Sequence, residues 1–182
     1  MLRQDAEWRI VAGRASAEFD PYGALRALQA ENVSFVVIGA LARVVHGTRE
    51  VTDGIDIAPS MREENLERLE RALKHLDARR TDGRKLDLAK LAGPVVELET
   101  SAGELKLVPE PTGTRGYDDL RRRAEREPLG HGLRPQVASA DDLARMLGAL
   151  DREQDVERLL RLRRLIELER QRVPVFDRGV DL

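Results

Sequence analysis

The stretch SFVVIGALARVVHGTREVTDGIDIAP, residues 34–59, decides the fold of this chain. It begins with a short apolar run, rich in β-branched side chains, that ends at Gly39. Such a run is typical of a strand buried on both faces, and we expect it to be the central strand of a sheet. Residues 40–47 favour one or two helical turns, and residues 55–59 a second strand that Pro59 ends. The stretch therefore predicts the middle of a sheet with a short helix between two strands.

Capping residues predict helices on both sides of this stretch. Asp20 followed by Pro21 is typical of a helix start, and we expect that helix to reach about Glu31. Ser60 and Glu63 fit a capping box for a helix whose leucines recur at helical spacing, at positions 66, 69, 73 and 76. Both helices are predicted to pack on the sheet.

The second half of the chain predicts a β-hairpin followed by helices. Residues 95–100 and 104–108 alternate in polarity around a turn, which indicates the hairpin. Four further elements are expected: a short helix at 116–127, a short edge strand at 133–139, a helix at 140–150 capped by Ser139 with Asp142, and a final helix at 152–172 with an apolar stripe wide enough to pack. The pattern predicts an α+β fold, a small mixed β-sheet flanked by helices, with C-terminal helices. The expected division is a helical extension at 1–19, an α+β domain at 20–135, a helical subdomain at 136–172 and a tail at 173–182.

Composition excludes several classes of function. The chain has 31 Lys and Arg against 33 Asp and Glu, a net charge of -2, so charge does not indicate RNA as a partner. It has no cysteine, which excludes disulfides, thiolate zinc sites and cysteine nucleophiles. The N-terminus is too charged for a signal peptide, and no apolar run has the length of a membrane span. These features predict a cytoplasmic protein without a membrane partner, and its Arg-, Ala- and Leu-rich composition is typical of a bacterial source.

In the order of its motifs, the chain resembles the nucleotidyltransferase superfamily with the DNA polymerase beta-like fold, in particular bacterial members related to AbiEii-type toxins. The resemblance covers about residues 20–168. It rests on FVVIGALARVVHG, TREVTDGIDIAP, ENLERLERAL, SAGELKLVPEPTGTRGYDDL and ASADDLARMLGALDREQDVERL. Several motifs in the family's order make the resemblance more specific than any single one.

The resemblance implies magnesium-dependent transfer of a nucleotide from a nucleoside triphosphate to RNA, a protein or a small molecule. Two aspartates at i and i+2 on one strand point from the same face, and a third carboxylate on a neighbouring strand completes the Mg²⁺ site. The ions neutralise the triphosphate and activate the attacking oxygen. The candidate nucleotide contacts are Gly39 and Ala40 in the family's glycine-rich turn, Arg152 near the family's lysine position, and Arg49 and Thr52, whose side chains suit a phosphate.

Three positions depart from the family's catalytic pattern. The aspartate pair falls on Gly54 and Asp56, so Asp56 alone remains as a catalytic and metal-binding residue. Lys106 stands where the third aspartate is expected, and Leu147 where relatives carry a lysine. Mg²⁺ needs several oxygen ligands, so one carboxylate beside an ammonium is a poor site. The resemblance therefore implies a degenerate active site.

A lysine beside Asp56 predicts a salt bridge in place of the metal ion. Opposite charges about 4 Å apart attract by about 4 kcal/mol at an effective dielectric constant of 20. We therefore expect Asp56 and Lys106 to form a direct or water-bridged pair. A structural role is an alternative for both motif positions. Asp56 would then be the acidic partner of a structural salt bridge, and Gly54 a glycine where another backbone approaches closely.

Two functions follow from these residues. In the first, the protein is a pseudoenzyme that binds a nucleotide weakly or contacts a partner protein, in a toxin-antitoxin-like or regulatory system, with no cofactor. In the second, it is an active Mg²⁺-dependent nucleotidyltransferase that uses Asp56 with Glu97, Glu99 or Glu104. Natural decay and deliberate inactivation would leave the same substitutions.

Overall fold

Seven strands form one mixed sheet in the computed structural model, which describes residues 19–91 and 95–172. The strands are β1 Phe35–Ile38, β2 Gly54–Pro59, β3 Arg79–Arg80, β4 Val96–Thr100, β5 Gly103–Leu107, β6 Glu125–Arg126 and β7 Gln136–Val137. The helices are α1 Pro21–Ala30, α2 Gly39–Val45, α3 Glu63–His75, α4 Tyr117–Leu120, α5 Ala140–Leu150 and α6 Val156–Arg172, with single 3-10 turns at Leu88–Lys90 and Glu153–Asp155. The predicted extension at 1–19, except for its last residue, and the predicted tail lie outside the described residues.

The strand order confirms the predicted α+β class. The order is β3-β4-β5-β2-β1-β7-β6, in which β2 is antiparallel to β1 and parallel to β5. β1 is also parallel to β7, so the sheet is mixed. All four residues of β1 are buried, as its apolar run predicts, although β2 is the middle strand of the seven. The β4–β5 hairpin pairs with the edge of β2 that faces away from β1, and β3 extends the sheet further on that side. The central strand is therefore β2 rather than β1. The predicted division into domains stays a prediction.

One face of β2, β4 and β5 lies on the core, and the other face is polar. Along β5 the buried residues Leu105 and Leu107 alternate with the half-buried Glu104 and Lys106. β4 alternates in the same way, with Glu97 and Glu99 on its exposed positions. A slip of one residue would exchange the two faces, so burial of the leucines fixes the register. This register decides which polar side chains meet on the open face.

Two of the three predicted helix caps are present. The side chain of Asp20 accepts a hydrogen bond from the Gly23 amide at 2.9 Å, and that of Ser139 accepts one from the Asp142 amide at 3.1 Å. The capping box at Ser60 and Glu63 is wrong, because α3 begins after Arg62 and has no side-chain cap. Ser60 instead continues the sheet, since its amide donates to the Ser34 carbonyl at 2.9 Å.

The segment from 116 to 139 differs from its prediction. Only Tyr117–Leu120 is helical, and the following residues form β6. β7 is an interior strand rather than an edge strand, because it pairs with β1 on one side and with β6 on the other. The pairing of β7 with β1 joins residues 100 positions apart, Val37 and Val137, so local pattern did not reveal it.

The final helix packs less completely than its apolar stripe predicts. It begins with the 3-10 turn at Glu153–Asp155 and continues as α6. Leu162 is fully buried and packs in the core, whereas three apolar residues that were expected to pack are exposed: Val156, Leu160 and Leu168. The prediction of a wide buried stripe is therefore wrong for these three positions, since α6 contacts the domain along a narrower face.

Candidate functional site

Asp56 lies in the middle of the sheet, against the turn between β1 and α2. Its neighbours in register are Ile38 on β1 and Lys106 on β5. Gly39 has a φ angle of +70°, and a Cβ atom there would lie 1.9 Å from Oδ2 of Asp56. Gly39 is thus required both by its backbone conformation and by the carboxylate that rests on it.

Burial raises the pKa of Asp56 above its usual range. The positive charge of Lys106 acts in the opposite direction, and the negative charge of Glu104 adds to the rise. Its ionised form is therefore less well stabilised than that of an ordinary aspartate. A carboxylate that holds a divalent cation would need further oxygen ligands beside it.

Gly54 occupies a position where two backbones approach closely. It is the register partner of Glu104 on the parallel strand β5. A Cβ atom at Gly54 would lie 2.8 Å from the carbonyl oxygen of Glu104 and 2.9 Å from its Cβ atom. A side chain at this position would therefore push β5 away from β2. The structural interpretation of Gly54, a glycine at a close approach, is consistent with this geometry.

Lys106 shares a sheet face with Asp56 but forms its ion pairs elsewhere. Its Nζ atom lies 3.4 Å from Oε1 of Glu104 and 3.6 Å from Oε1 of Glu97. The described residues contain no Asp56–Lys106 pair within 4.0 Å, so the predicted direct salt bridge is wrong. Lys106 pairs instead with Glu97, which lies opposite it on β4, and with Glu104, two residues before it on β5. The water-bridged form of the pair stays a prediction.

The carboxylates around Lys106 keep it charged. Burial of the Lys106 side chain alone would lower its pKa, but the negative charges of Glu104, Asp56 and Glu97 outweigh this effect and raise it. The ammonium therefore stays protonated through the neutral range. It places a fixed positive charge next to Asp56.

The remaining acidic residues on the open face do not assemble a metal site. Pairing of β4 with β5 puts Glu99 beside Glu104 and Glu97 beside Lys106, on the face that carries Asp56. Within the part of the chain that the structure describes, no three Asp, Glu or His side chains are arranged to hold a metal ion. The residues present do not fit Mg²⁺, because a paired ammonium stands among the carboxylates.

Arg152, one of the predicted nucleotide contacts, lies in a network of ion pairs. Its Nε atom donates to Oδ2 of Asp155 at 2.6 Å, and Arg158 Nη1 donates to Oδ1 of the same carboxylate at 2.8 Å. Arg158 also lies 3.8 Å from Glu50, which accepts two hydrogen bonds from Arg43 at 2.7 and 2.8 Å. This network joins α2 and the loop before β2 to the start of α6. Arg152 thus has a structural partner already.

The ion pair between Arg43 and Glu50 was not predicted from the sequence, although the sequence contains a signal for it. Arg43 is the only charged residue in the apolar run at 35–45, and it is 8% exposed. A buried arginine requires a carboxylate partner, so its position in such a run indicates a buried ion pair. Glu50 supplies that partner, and the pKa of Glu50 is lowered because the hydrogen bonds and charge of Arg43 outweigh the effect of burial.

The other residues predicted at the site differ in how deeply they are buried. Thr52 donates its hydroxyl to the carbonyl of Gly54 at 2.8 Å and so supports the start of β2, while Arg49 is exposed in the same loop. Ala40 follows Gly39 in the first turn of α2. Leu147 is only 6% exposed and belongs to the hydrophobic core. Of the predicted site residues, Gly39, Asp56 and Lys106 are therefore brought together, with Gly54 at the edge of the same face.

A cavity lined by α3 and the segment after it lies away from Asp56. It has a volume of about 840 Å³ and lies between α3 and residues 77–89. None of the predicted catalytic or nucleotide-contacting residues lines it.

Within the described ranges, no helix has the length and hydropathy that crossing a membrane requires.

Solved structures with which this chain can be compared include a crystal structure and a solution structure. No protein-family model matches the chain, and no curated protein matches it. A crystal structure of TM1012 from Thermotoga maritima, described as a proposed nucleotidyltransferase, is 18% identical with a TM-score of 0.48, over 82% of this chain and 89% of that one. The antibiotic-resistance factor ANT(2'')-Ia is 16% identical with the same TM-score and the same coverage of both chains. These values are too low to bear on the chemistry of this chain.

Proposed function

We propose that this chain is a nucleotidyltransferase-fold protein whose catalytic centre is degenerate. It is a pseudoenzyme that binds a nucleoside triphosphate weakly or contacts a partner protein, in the manner of a toxin-antitoxin-like or regulatory component. The observation that carries the proposal is the position of Lys106, which stands beside Asp56 in register and is paired with Glu97 and Glu104.

The charge at Lys106 opposes a cation at Asp56. A divalent ion next to Asp56 would face the protonated ammonium on the adjacent strand and would lack the second carboxylate of the aspartate pair. The close approach of Gly54 to Glu104 leaves no room for that carboxylate. These two features together favour a site without Mg²⁺.

Weak nucleotide binding follows from the same geometry. A phosphate near the Gly39 turn would meet the Asp56 carboxylate, which rests on that turn. Without a bound cation this approach is repulsive, and the nearby ammonium is already shared between two carboxylates. We therefore expect low affinity for triphosphates.

Replacing Lys106 by aspartate is expected to create a divalent-cation site. The K106D variant places a carboxylate beside Asp56 and removes the positive charge, so Mn²⁺, used as a probe for Mg²⁺, should bind about tenfold or more tightly than to the unaltered chain. Titration calorimetry measures both affinities. K106M is the matched control, because it removes the charge without adding an oxygen ligand.

One outcome of the Mn²⁺ titrations would contradict the proposal. If the unaltered chain binds Mn²⁺ as tightly as K106D does, and D56N abolishes that binding, Lys106 does not exclude the ion and the degenerate-site proposal fails.

The active-enzyme alternative has one observation in its favour, the shared face of Asp56, Glu97, Glu99 and Glu104. It requires that one of these glutamates move to Asp56 when a nucleotide binds. An assay of transfer from labelled nucleoside triphosphates distinguishes the two functions, since substantial transfer by the unaltered chain supports the alternative.

A further inference from the structure

A small polar pocket lies at the opposite end of β1 from the Gly39 turn. It has a volume of about 280 Å³ and opens between α1, the first residue of β1, α4 and the β6–β7 strands. Leu25, Phe35 and Pro135 form apolar parts of its wall. None of the residues of the candidate site at Asp56 lines it, so the two regions are independent.

The charge of this pocket is positive. Arg126 on β6 and Arg134 just before β7 both line it, and no aspartate or glutamate does. Both side chains are exposed, and neither guanidinium has a carboxylate within 4.0 Å among the residues described here. Two guanidinium groups at one pocket, without a counter-charge, favour an anionic ligand.

The pocket is also lined by polar side chains that form no hydrogen bond with other described residues; two of them, Gln29 and Asn32, are exposed to solvent. Gln29, Asn32 and Gln136 contribute side-chain amides, and Tyr117 contributes a phenol hydroxyl. Across residues 19–91 and 95–172, none of these four groups forms a side-chain hydrogen bond. Polar side chains around a partly apolar wall are compatible with a site for a small ligand.

We propose that this pocket binds a small phosphate monoester. The two guanidiniums match the dianionic phosphate, since each can donate two parallel hydrogen bonds to its oxygens. The cavity volume is about 280 Å³, below the roughly 300 to 1,000 Å³ that is usual for drug-sized ligands, so we expect the organic part of the ligand to have few carbon atoms. The amides and Tyr117 then contact the hydroxyl groups of that organic part.

The test uses inorganic phosphate as the probe and the full chain. Titration at constant ionic strength, followed by ¹H–¹⁵N NMR, is expected to shift the backbone amides around Gln29 and Gln136 in a saturable way. R126Q and R134Q should each weaken binding about tenfold, because each removes a charge-assisted pair of hydrogen bonds. R122Q is the matched control, since Arg122 is exposed and carries the same charge but does not line the pocket.

Three outcomes would overturn the proposal: no saturable shift around the pocket, equal weakening in R122Q, or malonate binding as tightly as phosphate. Thermal unfolding of each variant confirms that it is folded before titration. D56N is expected to leave the phosphate-dependent shifts around Gln29 and Gln136 unchanged, because Asp56 does not line this pocket, so this result does not depend on the proposed loss of catalysis.

Discussion

Replacing Leu147 by lysine, the residue that the family pattern places there, is expected to lower the free energy of unfolding by about 3 to 5 kcal/mol. Leu147 is 6% exposed and packs in the core, so the substitution removes apolar contacts and buries an ammonium without a carboxylate partner. Urea denaturation at neutral pH measures the change.

L150K is the control for this substitution, because Leu150 lies on the same helix and is 37% exposed. We expect L150K to change stability by less than about 0.5 kcal/mol. If L147K is as stable as L150K, the side chain at 147 reaches a polar space, and α5 still accepts a catalytic lysine.

Replacing Gly54 by alanine is expected to lower the free energy of unfolding by about 1 to 3 kcal/mol, the usual cost of an overpacked site. The added methyl group would lie within 3 Å of both the Glu104 carbonyl oxygen and the Glu104 Cβ atom, at 2.8 and 2.9 Å. β5 must move to relieve these contacts. G54D has the same steric problem and adds a carboxylate near Asp56 and Glu104.

Gly148 provides a control of opposite sign. It lies in α5, its added Cβ atom would meet only Leu159 at 3.9 Å, and G148A should therefore stabilise the protein by about 0.5 to 1 kcal/mol through its helix propensity. Denaturation curves of the two variants compare the effects. If G54A leaves the free energy of unfolding unchanged, β2 and β5 have room for a side chain. The glycine would then reflect only the loss of the family's carboxylate.

Local signals in the sequence predicted several elements well. The caps at Asp20 and Ser139 depend on residues three positions apart, and the predicted helix at 140–150 has the same bounds as α5. The apolar run before Gly39 predicted a buried strand, because that pattern depends on the side chains of the strand itself. Such features need no knowledge of distant parts of the chain.

Features that depend on pairing over long distances were less predictable. β7 is a two-residue strand that pairs with the distant β1, and β6, also of two residues, pairs with β7. Ser60 lost its role as a cap because its amide completes a sheet bond to Ser34. In both cases a tertiary hydrogen bond overrides the local preference.

The candidate site shows the same difference between features set by local sequence and features set by strand pairing. Period-two alternation placed Lys106 and Glu104 on one face correctly. The choice of partner for Lys106 depends on the antiparallel register of β4, which puts Glu97 opposite it. The steric requirement at Gly54 arises from a parallel neighbour that no local pattern reveals.

Nucleotide binding with and without magnesium tests the loss of the metal site most directly. Calorimetric titration of ATP, GTP, CTP and UTP into the unaltered chain, once with excess Mg²⁺ and once with EDTA, compares the two affinities. We expect weak binding that differs by less than about twofold between the two conditions, since Lys106 stands beside the one remaining carboxylate. A magnesium-dependent gain of about tenfold or more, lost in D56N, would contradict the proposal and show that Asp56 still holds the ion.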